Sequence, residues 1–600
     1  MSFHPNDIVR RGRAASVIVC GVLVFLLSAF FRAQVLRNQE YSLKSEENRL
    51  RQIPMAAPRG IIYDRNHKPI AENIVGYSVN LLPQQSEDTL RATLERMRGR
   101  INLTSKQFED AINRFRRDRT RPTVIIQDAS FDVVSVLEEH RMEFPALLIQ
   151  SAPKRVYPDG EAVGAFVGYI SEINEGQLAT LASQGYKAGQ LVGTQGLEKQ
   201  YEKELRGQEG IQFVEVDARN RPVLNGRTRE DVTPLEGPLL QTNIDLDLQE
   251  YIHALFGDST SGAAVAMIPK TGEVLALYSS PAIDPNRFIG GVSNAYYDSL
   301  RNDPRAPLYN KAVQGQYAPG STFKLATSVI GLEDSVITFD THMPEACHGF
   351  YYFGNRAWKC WKKEGHGSLS LASAIAQSCD VYFYQLGQKI GLTRLVAGGV
   401  SLGFDKRTGI DLPEEKRPIF PTSVPEYFNQ KYPAARGGWT AGSHELNLSI
   451  GQGDNSQTVI SMAKFYSALA TDGSVPTPQI KRGPVQRTKG INIPPDQLLR
   501  LRKAMMGVLA EGGTAAASAI EGVAIAGKTG TAQTMKFSKE GKPLYYAWFA
   551  GMAPEEDPQI VVVVMIPNVT FEGSGSAHYA SKIIAHYLHK QVANTIINTM

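Results

Sequence analysis

The amino-acid sequence predicts an α+β protein with three parts. These are one N-terminal transmembrane helix, a mostly β domain with a small helical lobe, and a C-terminal domain in which helices flank an antiparallel sheet. Three observations support this prediction. Residues 14–31 are apolar and carry no formal charge. Residues 54–236 alternate like strands, apart from a charged helical stretch at about residues 87–119 and a helix at residues 193–207. Residues 237–593 combine amphipathic helical patterns with apolar strand patterns.

The apolar stretch at residues 14–31 is the first element. As a helix it would extend about 27 Å, which is close to the thickness of the hydrocarbon layer of a bilayer. Three arginines lie at residues 10–13 before it, and Arg32 follows it. By the positive-inside rule, residues 1–13 form a cytoplasmic tail and the bulk of the chain lies outside the cytoplasmic membrane. A cleaved signal peptide is the alternative, but the stretch ends in Ala-Phe-Phe rather than in small residues.

The segments that follow are assigned in order along the chain. Residues 32–53 carry apolar positions at helical spacing among charges and predict a juxtamembrane helix. Residues 54–236 form the mostly β domain, and its helical lobe covers about residues 85–150. Residues 237–593 form the C-terminal α+β domain. The length of 600 residues fits two or three domains, and the net charge of +4 gives no reason to expect nucleic acid as a partner.

Two lysine-containing strings carry most of the chemistry. The string S-T-F-K at Ser321 to Lys324 follows a Pro-Gly turn, and residues three apart share one face of a helix. A serine becomes a strong nucleophile when a nearby base takes its proton, and a desolvated lysine can do so. The string K-T-G-T at Lys528 to Thr531 ends an apolar strand. Its glycine lets an extended substrate approach the strand edge, and its lysine can bind a carboxylate.

Each string alone also fits a site without chemistry. An S-x-x-K string can lie on a solvated helix face, and a K-T-G string can form a turn. The sequence contains two similar strings that illustrate this. S-A-P-K occurs at Ser151 to Lys154, and a second K-T-G at Lys270 to Gly272 lies between two apolar alternating runs. The second K-T-G therefore predicts a hairpin turn. What distinguishes the first pair is their order around a third string, Ser378-Cys379-Asp380.

The three strings in this order resemble the active site of penicillin-interacting serine enzymes. Residues 240–593 resemble the penicillin-binding transpeptidase domain. The preceding region resembles the elongated pedestal, a dimerisation-type domain, of class B penicillin-binding proteins. It does so through the strings R-G-I-I-Y-D-R, R-V-Y-P-D-G and G-L-E-K-Q-Y-E, which begin at Arg59, Arg155 and Gly196. The tract C-W-K-K-E-G-H-G from Cys360, together with S-T-F-K, is similar to the elongation branch, penicillin-binding protein 2.

This resemblance implies a D,D-transpeptidase that cross-links peptidoglycan stem peptides ending in D-Ala-D-Ala during lateral wall elongation and cell-shape maintenance. The reaction would pass through a serine acyl-enzyme, need no catalytic cofactor and be a target of β-lactams. The implied partners are a multi-pass glycan polymerase and a periplasmic scaffold protein of the elongation machinery. The alternatives are a division-type class B enzyme, a hydrolase such as a D,D-carboxypeptidase or β-lactamase, and a non-catalytic penicillin receptor or scaffold.

The resemblance also assigns roles to individual residues. Ser321 would be the nucleophile, Lys324 its base, and Ser378 would pass the proton to the leaving D-Ala. Asp380 departs from the usual Ser-x-Asn motif, and an ionised carboxylate accepts hydrogen bonds but donates none. Backbone N–H groups of Ser321 and Thr531 would form the oxyanion hole. The complete predicted catalytic set is Ser321, Lys324, Ser378, Asp380, Lys528, Thr529, Gly530 and Thr531.

Three cysteines and a histidine form a candidate zinc site. Cys347, Cys360, His366 and Cys379 make a Cys3His set, whereas Cys20 lies in the predicted span. The alternative is a disulfide between Cys347 and Cys360, with Cys379 as a buried thiol. The resemblance favours a structural zinc, because elongation-branch members carry a metal at positions matching Cys360, His366 and Cys379. Cys347 is included only by proximity, and its neighbour His348 competes for that role.

Overall fold

The structure, a computed structural model, describes residues 5–38, 50–83, 86–119, 121–216, 230–570 and 574–599. The strands are β1 Leu50–Met55, β2 Ile62–Tyr63, β3 Pro69–Leu81, β4 Thr123–Ala129, β5 Leu147–Val156, β6 Ile170–Glu172, β7 Leu191–Gly193, β8 Gly210–Glu215, β9 Leu240–Gln241, β10 Gly262–Met267, β11 Val274–Ser280, β12 Phe350–Phe353, β13 Arg356–Lys359, β14 Ser474–Pro476, β15 Arg487–Lys489, β16 Ala526–Phe537, β17 Pro543–Ala553 and β18 Ile560–Val569. The α-helices are Pro5–Phe31, Glu87–Arg98, Ser105–Arg117, Phe131–Glu139, Gly164–Val167, Glu175–Leu181, Gly196–Gln200, Glu202–Leu205, Leu246–Phe256, Asn294–Asn302, Lys324–Glu333, Leu371–Ala376, Asp380–Ile390, Leu392–Ser401, Glu426–Lys431, Ala441–Ser449, Val459–Leu469, Pro495–Met506 and Ser574–Thr599.

The first helix contains the predicted span. Helix Pro5–Phe31 includes all of residues 14–31, and an 18-residue window within Val9–Leu36 has a mean hydropathy of 2.6. Within the described ranges, this is the one helix that is long and apolar enough to cross a membrane. Its length and composition are compatible with a single-pass anchor.

The predicted juxtamembrane helix over residues 32–53 is partly wrong. Arg32–Leu36 form a π-helical turn, and residues 39–49 lie outside the described residues. The end of the predicted helix is instead strand β1, which pairs antiparallel with β8 from Leu50↔Glu215 to Met55↔Gly210. The partner strand lies about 160 residues away in sequence, and helical spacing among charges gives no sign of such a pairing.

The chain divides into two compact units. The first contains the described parts of Met1–Pro58, Val75–Lys154 and Gly207–Glu236. Its helices Glu87–Arg98 and Ser105–Arg117 confirm the helical stretch that the sequence predicts. Both begin at a side-chain cap, from Ser86 and Thr104. Their buried faces share a core with β3 and β4, formed by Leu90, Leu94, Met97, Phe108, Ile112, Phe115, Val79 and Ile125.

The second unit contains Arg59–Ile74, Arg155–Arg206 and Gly237–Met600. Its largest sheet has the strand order β11-β10-β18-β17-β16, and every neighbouring pair is antiparallel. The predicted turn at Lys270 to Gly272 is confirmed, because it joins β10 to β11. The second K-T-G therefore has no part in the site described below.

Both faces of this sheet are covered. Val561, Val563 and Met565 of β18 belong to one hydrophobic core, and the intervening Val562 and Val564 belong to a second core. The first core includes helices Lys324–Glu333 and Val459–Leu469, and the second includes helix Leu246–Phe256 and part of the last helix. A central strand buried on both faces explains the unbroken apolar run IVVVVMI at the start of β18. The predicted α+β class with an antiparallel sheet and flanking helices is confirmed.

Candidate active site

The S-T-F-K string forms a turn at the start of a helix. Gly320 has φ +54° and begins a 3-10 turn, Gly320–Phe323, that continues into helix Lys324–Glu333. Its N–H donates to the Gly451 carbonyl at 3.0 Å. The positive φ favours glycine at this position. This local geometry places a half-buried Ser321 one turn before a fully buried Lys324.

Two other side chains fix the turn from outside the string. The Trp548 indole Nε1 donates to the carbonyl of Ala318 at 2.9 Å, and the Tyr466 hydroxyl donates to the carbonyl of Thr322 at 2.9 Å. Trp548 and Tyr466 are both completely buried. Since each donor comes from a distant part of the chain, the position of Ser321 depends on the packed domain and not on the helix alone.

Lys324 joins the first string to the second. Its Nζ donates to Asp380 Oδ1 at 2.7 Å, to the Ser378 carbonyl at 2.9 Å and to Ser378 Oγ at 3.4 Å. These acceptors match the three protons of an ammonium group. Burial raises the pKa of the Asp380 carboxyl, while the Lys324 charge opposes that rise. The two strings, separated by 54 residues between Lys324 and Ser378, therefore meet in one hydrogen-bonded cluster.

Ser378 lies in a strained part of the backbone. Its φ is +52°, a left-handed conformation that few non-glycine residues adopt. It lies in the short connection between helix Leu371–Ala376 and helix Asp380–Ile390. The turn aims both the carbonyl and the hydroxyl of Ser378 at Lys324.

The K-T-G-T string lies on β16, the edge strand of the main sheet. Lys528 is fully buried, and burial lowers its pKa well below the ordinary value, with a further contribution from the Lys324 charge. Its Nζ donates to the Thr529 carbonyl at 3.2 Å. The Thr529 and Thr514 hydroxyls are hydrogen-bonded at 2.7 Å.

The edge strand lies directly against the S-T-F-K turn. A Cβ added at Gly530 would lie 2.6 Å from the Pro319 carbonyl oxygen and 3.1 Å from the Thr322 nitrogen. A Cβ added at Gly320 would lie 2.8 Å from the Thr531 carbonyl oxygen. Only glycine permits this approach at both positions. The structure thus brings the predicted residues of all three strings together.

The predicted cysteine and histidine residues also meet. The ligand atoms of Cys347, Cys360, His366 and Cys379 all lie within 4.8 Å of one another, and the three cysteines are buried and free. His366 Nδ1 is 3.5 Å from the Sγ atoms of both Cys347 and Cys360. The sequence left open whether Cys347 or His348 is the fourth residue of the cluster. The structure places Cys347 in the cluster, whereas His348 is exposed. The disulfide considered between Cys347 and Cys360 is not formed.

Hydrogen bonding within this cluster polarises its thiols. Its bond with Cys379 lowers the pKa of the Cys360 thiol, and His366 and the Lys324 charge lower it further. The same bond raises the pKa of Cys379. The thiol of Cys360 therefore has the lower pKa of the two. Cys379 separates Ser378 from Asp380, so the cluster is covalently continuous with the second string.

Comparison with known proteins identifies the family. A family model described as "Penicillin binding protein transpeptidase domain" matches residues 262–588, and another described as "Penicillin-binding Protein dimerisation domain" matches residues 54–242. The peptidoglycan D,D-transpeptidase MrdA of Acinetobacter baumannii is 31% identical, over 97% of this chain and 87% of the relative.

Two solved structures are similar over most of the chain. The complex between Penicillin-Binding Protein (PBP2) and MreC from Helicobacter pylori gives a TM-score of 0.78 at 26% identity, covering 90% of this chain and 99% of that one. The second structure is described by the words "Structural coordination of polymerization and crosslinking by a peptidoglycan synthase complex". It gives a TM-score of 0.69 at 29% identity, and the match covers 96% of this chain and 97% of that chain.

The chain belongs to the penicillin-binding protein 2 family. It is a peptidoglycan D,D-transpeptidase of the elongation type, as its sequence predicts. The match to an MrdA relative over nearly the whole chain favours this branch over the division-type alternative.

Besides Trp548 and Tyr466, two further residues of this penicillin-binding protein contact the site and were not predicted. Trp361 donates from its backbone N–H to Asp380 Oδ2 and from its indole to the Ser378 carbonyl, each at 3.1 Å. Its position next to Cys360 in the tract C-W-K-K-E-G-H-G was the available signal. Thr514, which contacts Thr529, carries no such signal because it lies in an unremarkable glycine-containing loop.

Proposed function

We propose that Ser321 is the nucleophile of the transpeptidation and that Lys324 is its general base. The observation that carries this proposal is the buried Lys324 Nζ, held between Ser378 and Asp380 one helical turn from Ser321. In its neutral form Lys324 takes the proton of the Ser321 hydroxyl as Oγ attacks the penultimate D-Ala carbonyl. Asp380 is an acceptor in this arrangement, which fits the replacement of the usual Asn.

The acyl-enzyme forms as the Ser321 Oγ–C bond is made and the peptide C–N bond to the terminal D-Ala breaks. The leaving amine needs a proton, and the Ser378 hydroxyl, 3.4 Å from Lys324 Nζ, is suited to pass it on. An amine of a neighbouring stem peptide then attacks the ester and releases Ser321. A β-lactam acylates the same serine, but its ring-opened amine stays attached and the ester persists.

The substrate is proposed to lie along the edge of β16. Lys528 supplies positive charge for the terminal carboxylate of the donor, and the Thr529 and Thr531 hydroxyls offer hydrogen bonds to it. The close approach at Gly530 brings the backbone of Thr531 next to the turn that carries Ser321. Backbone N–H groups of Ser321 and Thr531 would stabilise the oxyanion of the tetrahedral intermediate.

The test is labelling with a fluorescent penicillin followed by intact-mass analysis. Wild-type protein should form one covalent adduct, and Ser321→Ala should form none. The matched control is Ser151→Ala, which removes the serine of another S-x-x-K string, an exposed residue on β5, and should label normally. An adduct that persists in Ser321→Ala would refute the assignment of the nucleophile.

We also propose that Cys347, Cys360, His366 and Cys379 bind a structural zinc ion. The donor set is one that zinc prefers, and a tetrahedral site with typical bond lengths has S···N edges of about 3.5 Å. Both S···N distances from His366 Nδ1 are 3.5 Å, which supports this fit. A bound zinc would supply rigidity to the loop that holds the second string and no chemistry in the reaction.

Removing the metal tests this proposal. Metal analysis of the purified protein should find about one zinc per chain. Chelation should lower the rate of Ser321 acylation, because Cys379 lies between Ser378 and Asp380. A control with chelator already saturated with zinc should leave the rate unchanged. Unchanged acylation after verified loss of the metal would contradict the coupling.

The apolar helix and the relatives support a proposal for the location and the partners. We propose a single-pass protein of the cytoplasmic membrane with a cytoplasmic N-terminus, supported by the apolar helix and its arginine flank. Protease added to spheroplasts should then degrade a C-terminal epitope and spare an N-terminal one. By similarity to the PBP2–MreC complex and to the peptidoglycan synthase complex, we propose a scaffold protein and a glycan polymerase as partners. Co-purification from membranes tests both.

A further inference from the structure

Trp361 contacts the second string through two separate donors. Its indole Nε1 donates to the carbonyls of Gln377 and Ser378, each at 3.1 Å. Its backbone N–H donates to Asp380 Oδ2, also at 3.1 Å. The side chain is 46% exposed, so burial of the ring is not the main reason for its position. The polar contacts of Trp361 are instead directed at the residues on either side of Cys379.

These contacts fall where the backbone is under strain. Ser378 has φ +52°, and its carbonyl receives hydrogen bonds from both Lys324 Nζ and the Trp361 indole. A non-glycine residue persists in this conformation only when its surroundings hold it there. Lys324 alone cannot hold Ser378 in this conformation, because the proposed reaction changes the protonation of Lys324 and therefore its hydrogen bonds. The indole is a donor at every pH at which the protein is folded.

The two carboxylate oxygens of Asp380 also accept hydrogen bonds from Lys324 and Trp361, one from each residue. Oδ1 accepts from Lys324 at 2.7 Å, and Oδ2 accepts from the Trp361 backbone at 3.1 Å. Trp361 also lies edge-on against His366, with ring centroids 5.3 Å apart. It therefore stands between the cysteine–histidine loop and the residues that bind Lys324.

We propose that Trp361 is a positioning residue for acylation. Its indole N–H holds the Ser378 carbonyl, and through it the Ser378 hydroxyl, in the orientation that lets Lys324 and Ser378 exchange a proton. Its backbone N–H orients the Asp380 carboxylate toward Lys324. This inference rests on the proposed roles of Ser321, Lys324 and Ser378. It predicts an effect on the chemical step and not on the binding of the donor.

The experiment separates the indole N–H from the ring. Trp361→Phe keeps an aromatic ring against His366 and removes the N–H, whereas Trp361→Ala removes both. Stopped-flow acylation by a penicillin gives the rate constant of acylation and the dissociation constant of the preceding complex. We expect both variants to acylate about tenfold more slowly, as loss of one hydrogen bond predicts. The dissociation constant should stay within about twofold, since no contact with the donor is lost.

Controls identify the cause of any change. Tyr352→Ala removes another exposed aromatic side chain, 64% exposed on the neighbouring strand β12, and should acylate like wild type. Zinc content and melting temperature are measured for each variant. If Trp361→Phe is poorly folded, benzothienylalanine at position 361 replaces it, because it keeps the shape of the indole and lacks only the N–H.

Two results would overturn the inference. One is wild-type acylation by the variant that lacks only the N–H, which would reduce Trp361 to a packing residue. The other is a change confined to the dissociation constant, which would make it a substrate contact. In both cases the absence of an adduct in Ser321→Ala would leave the proposed nucleophile intact, so the two hypotheses fail separately.

Discussion

Buried charge is the main feature of the site at the scale of single residues. Lys324 and Lys528 are both fully buried, and Asp380 is the acid that pairs with Lys324. A buried ammonium is costly unless it is paired, and the described contacts of Lys528 Nζ include only a backbone carbonyl. Burial and the nearby Lys324 charge therefore lower the pKa of Lys528. An arriving carboxylate would supply the missing partner, which suits Lys528 to its proposed role in binding the donor.

The lowered pKa predicts a pH dependence. An ordinary lysine has a pKa of about 10.4. Because the pKa of Lys528 is lowered well below its ordinary value, Lys528 of the free enzyme loses its charge at a lower pH. The second-order rate constant for acylation by a penicillin, which carries a carboxylate, should therefore fall on the alkaline side below about pH 10.4. In Lys528→Arg the guanidinium stays protonated, so this alkaline decrease should be lost even if the maximum rate is about tenfold lower. An identical alkaline decrease in both proteins would exclude Lys528 as its source.

Contact between two elements sets the geometry of the site. The edge strand β16 and the Gly320–Phe323 turn are separated by about 200 residues of chain, yet they touch backbone to backbone at Gly530. Because a protein interior is densely packed, an added methyl group must displace one of the two elements. The position of Ser321 relative to the K-T-G-T string is therefore a property of their packing.

Gly530→Ala tests this contact. The new Cβ would lie 2.6 Å from the Pro319 oxygen, so we expect a loss of about 1–3 kcal/mol in unfolding free energy. The displaced strand should also slow acylation by about 100-fold. Gly483→Ala is the matched control, because its nearest neighbour would be 3.8 Å away. Equal acylation by the two variants would mean that the contact does not position Ser321.

At the scale of the whole molecule, a buried ion-pair network in the second unit joins residues that are far apart in the sequence. Glu198 accepts from Arg59 Nε at 2.5 Å, from Arg155 Nε at 2.8 Å and from the Tyr157 hydroxyl at 3.2 Å. Arg59 also pairs with Glu202 at 2.7 Å. These residues come from the three strings on which the resemblance to the class B pedestal rests. The strings therefore meet in space, and their charged residues neutralise one another.

Glu198→Gln should destabilise the protein by about 3–5 kcal/mol, because it leaves the buried Arg155 without its carboxylate partner and Arg59 with Glu202 alone. Chemical unfolding measures this loss. Glu204→Gln removes one partner of an ion pair with Lys481 in which the glutamate side chain is 53% exposed, and it should cost less than about 1 kcal/mol. Burial opposes ionisation of Glu198, but Arg155 and Arg59 outweigh it and lower its pKa. Its contribution should thus be present at neutral pH and be lost as acid protonates it.

The sequence by itself determined the chemistry of this protein and much of its fold. Residue type and order singled out the S-T-F-K string, the K-T-G-T string and the apolar span, because those signals are local. The turn at Lys270 and the helix at Ser321 followed from the same local rules. An incorrect segment, at residues 50–53, became a strand through a partner far along the chain.

Only the tertiary structure decided which side chains meet. Lys324 lies 56 residues from Asp380, and Arg59 lies 139 residues from Glu198. No periodicity or spacing in a sequence encodes such contacts, because they depend on how whole elements pack. The same is true of Trp361, whose two hydrogen bonds to the second string arise from the path of a loop. Local signals specify reactive groups, whereas packing places them within reach of one another.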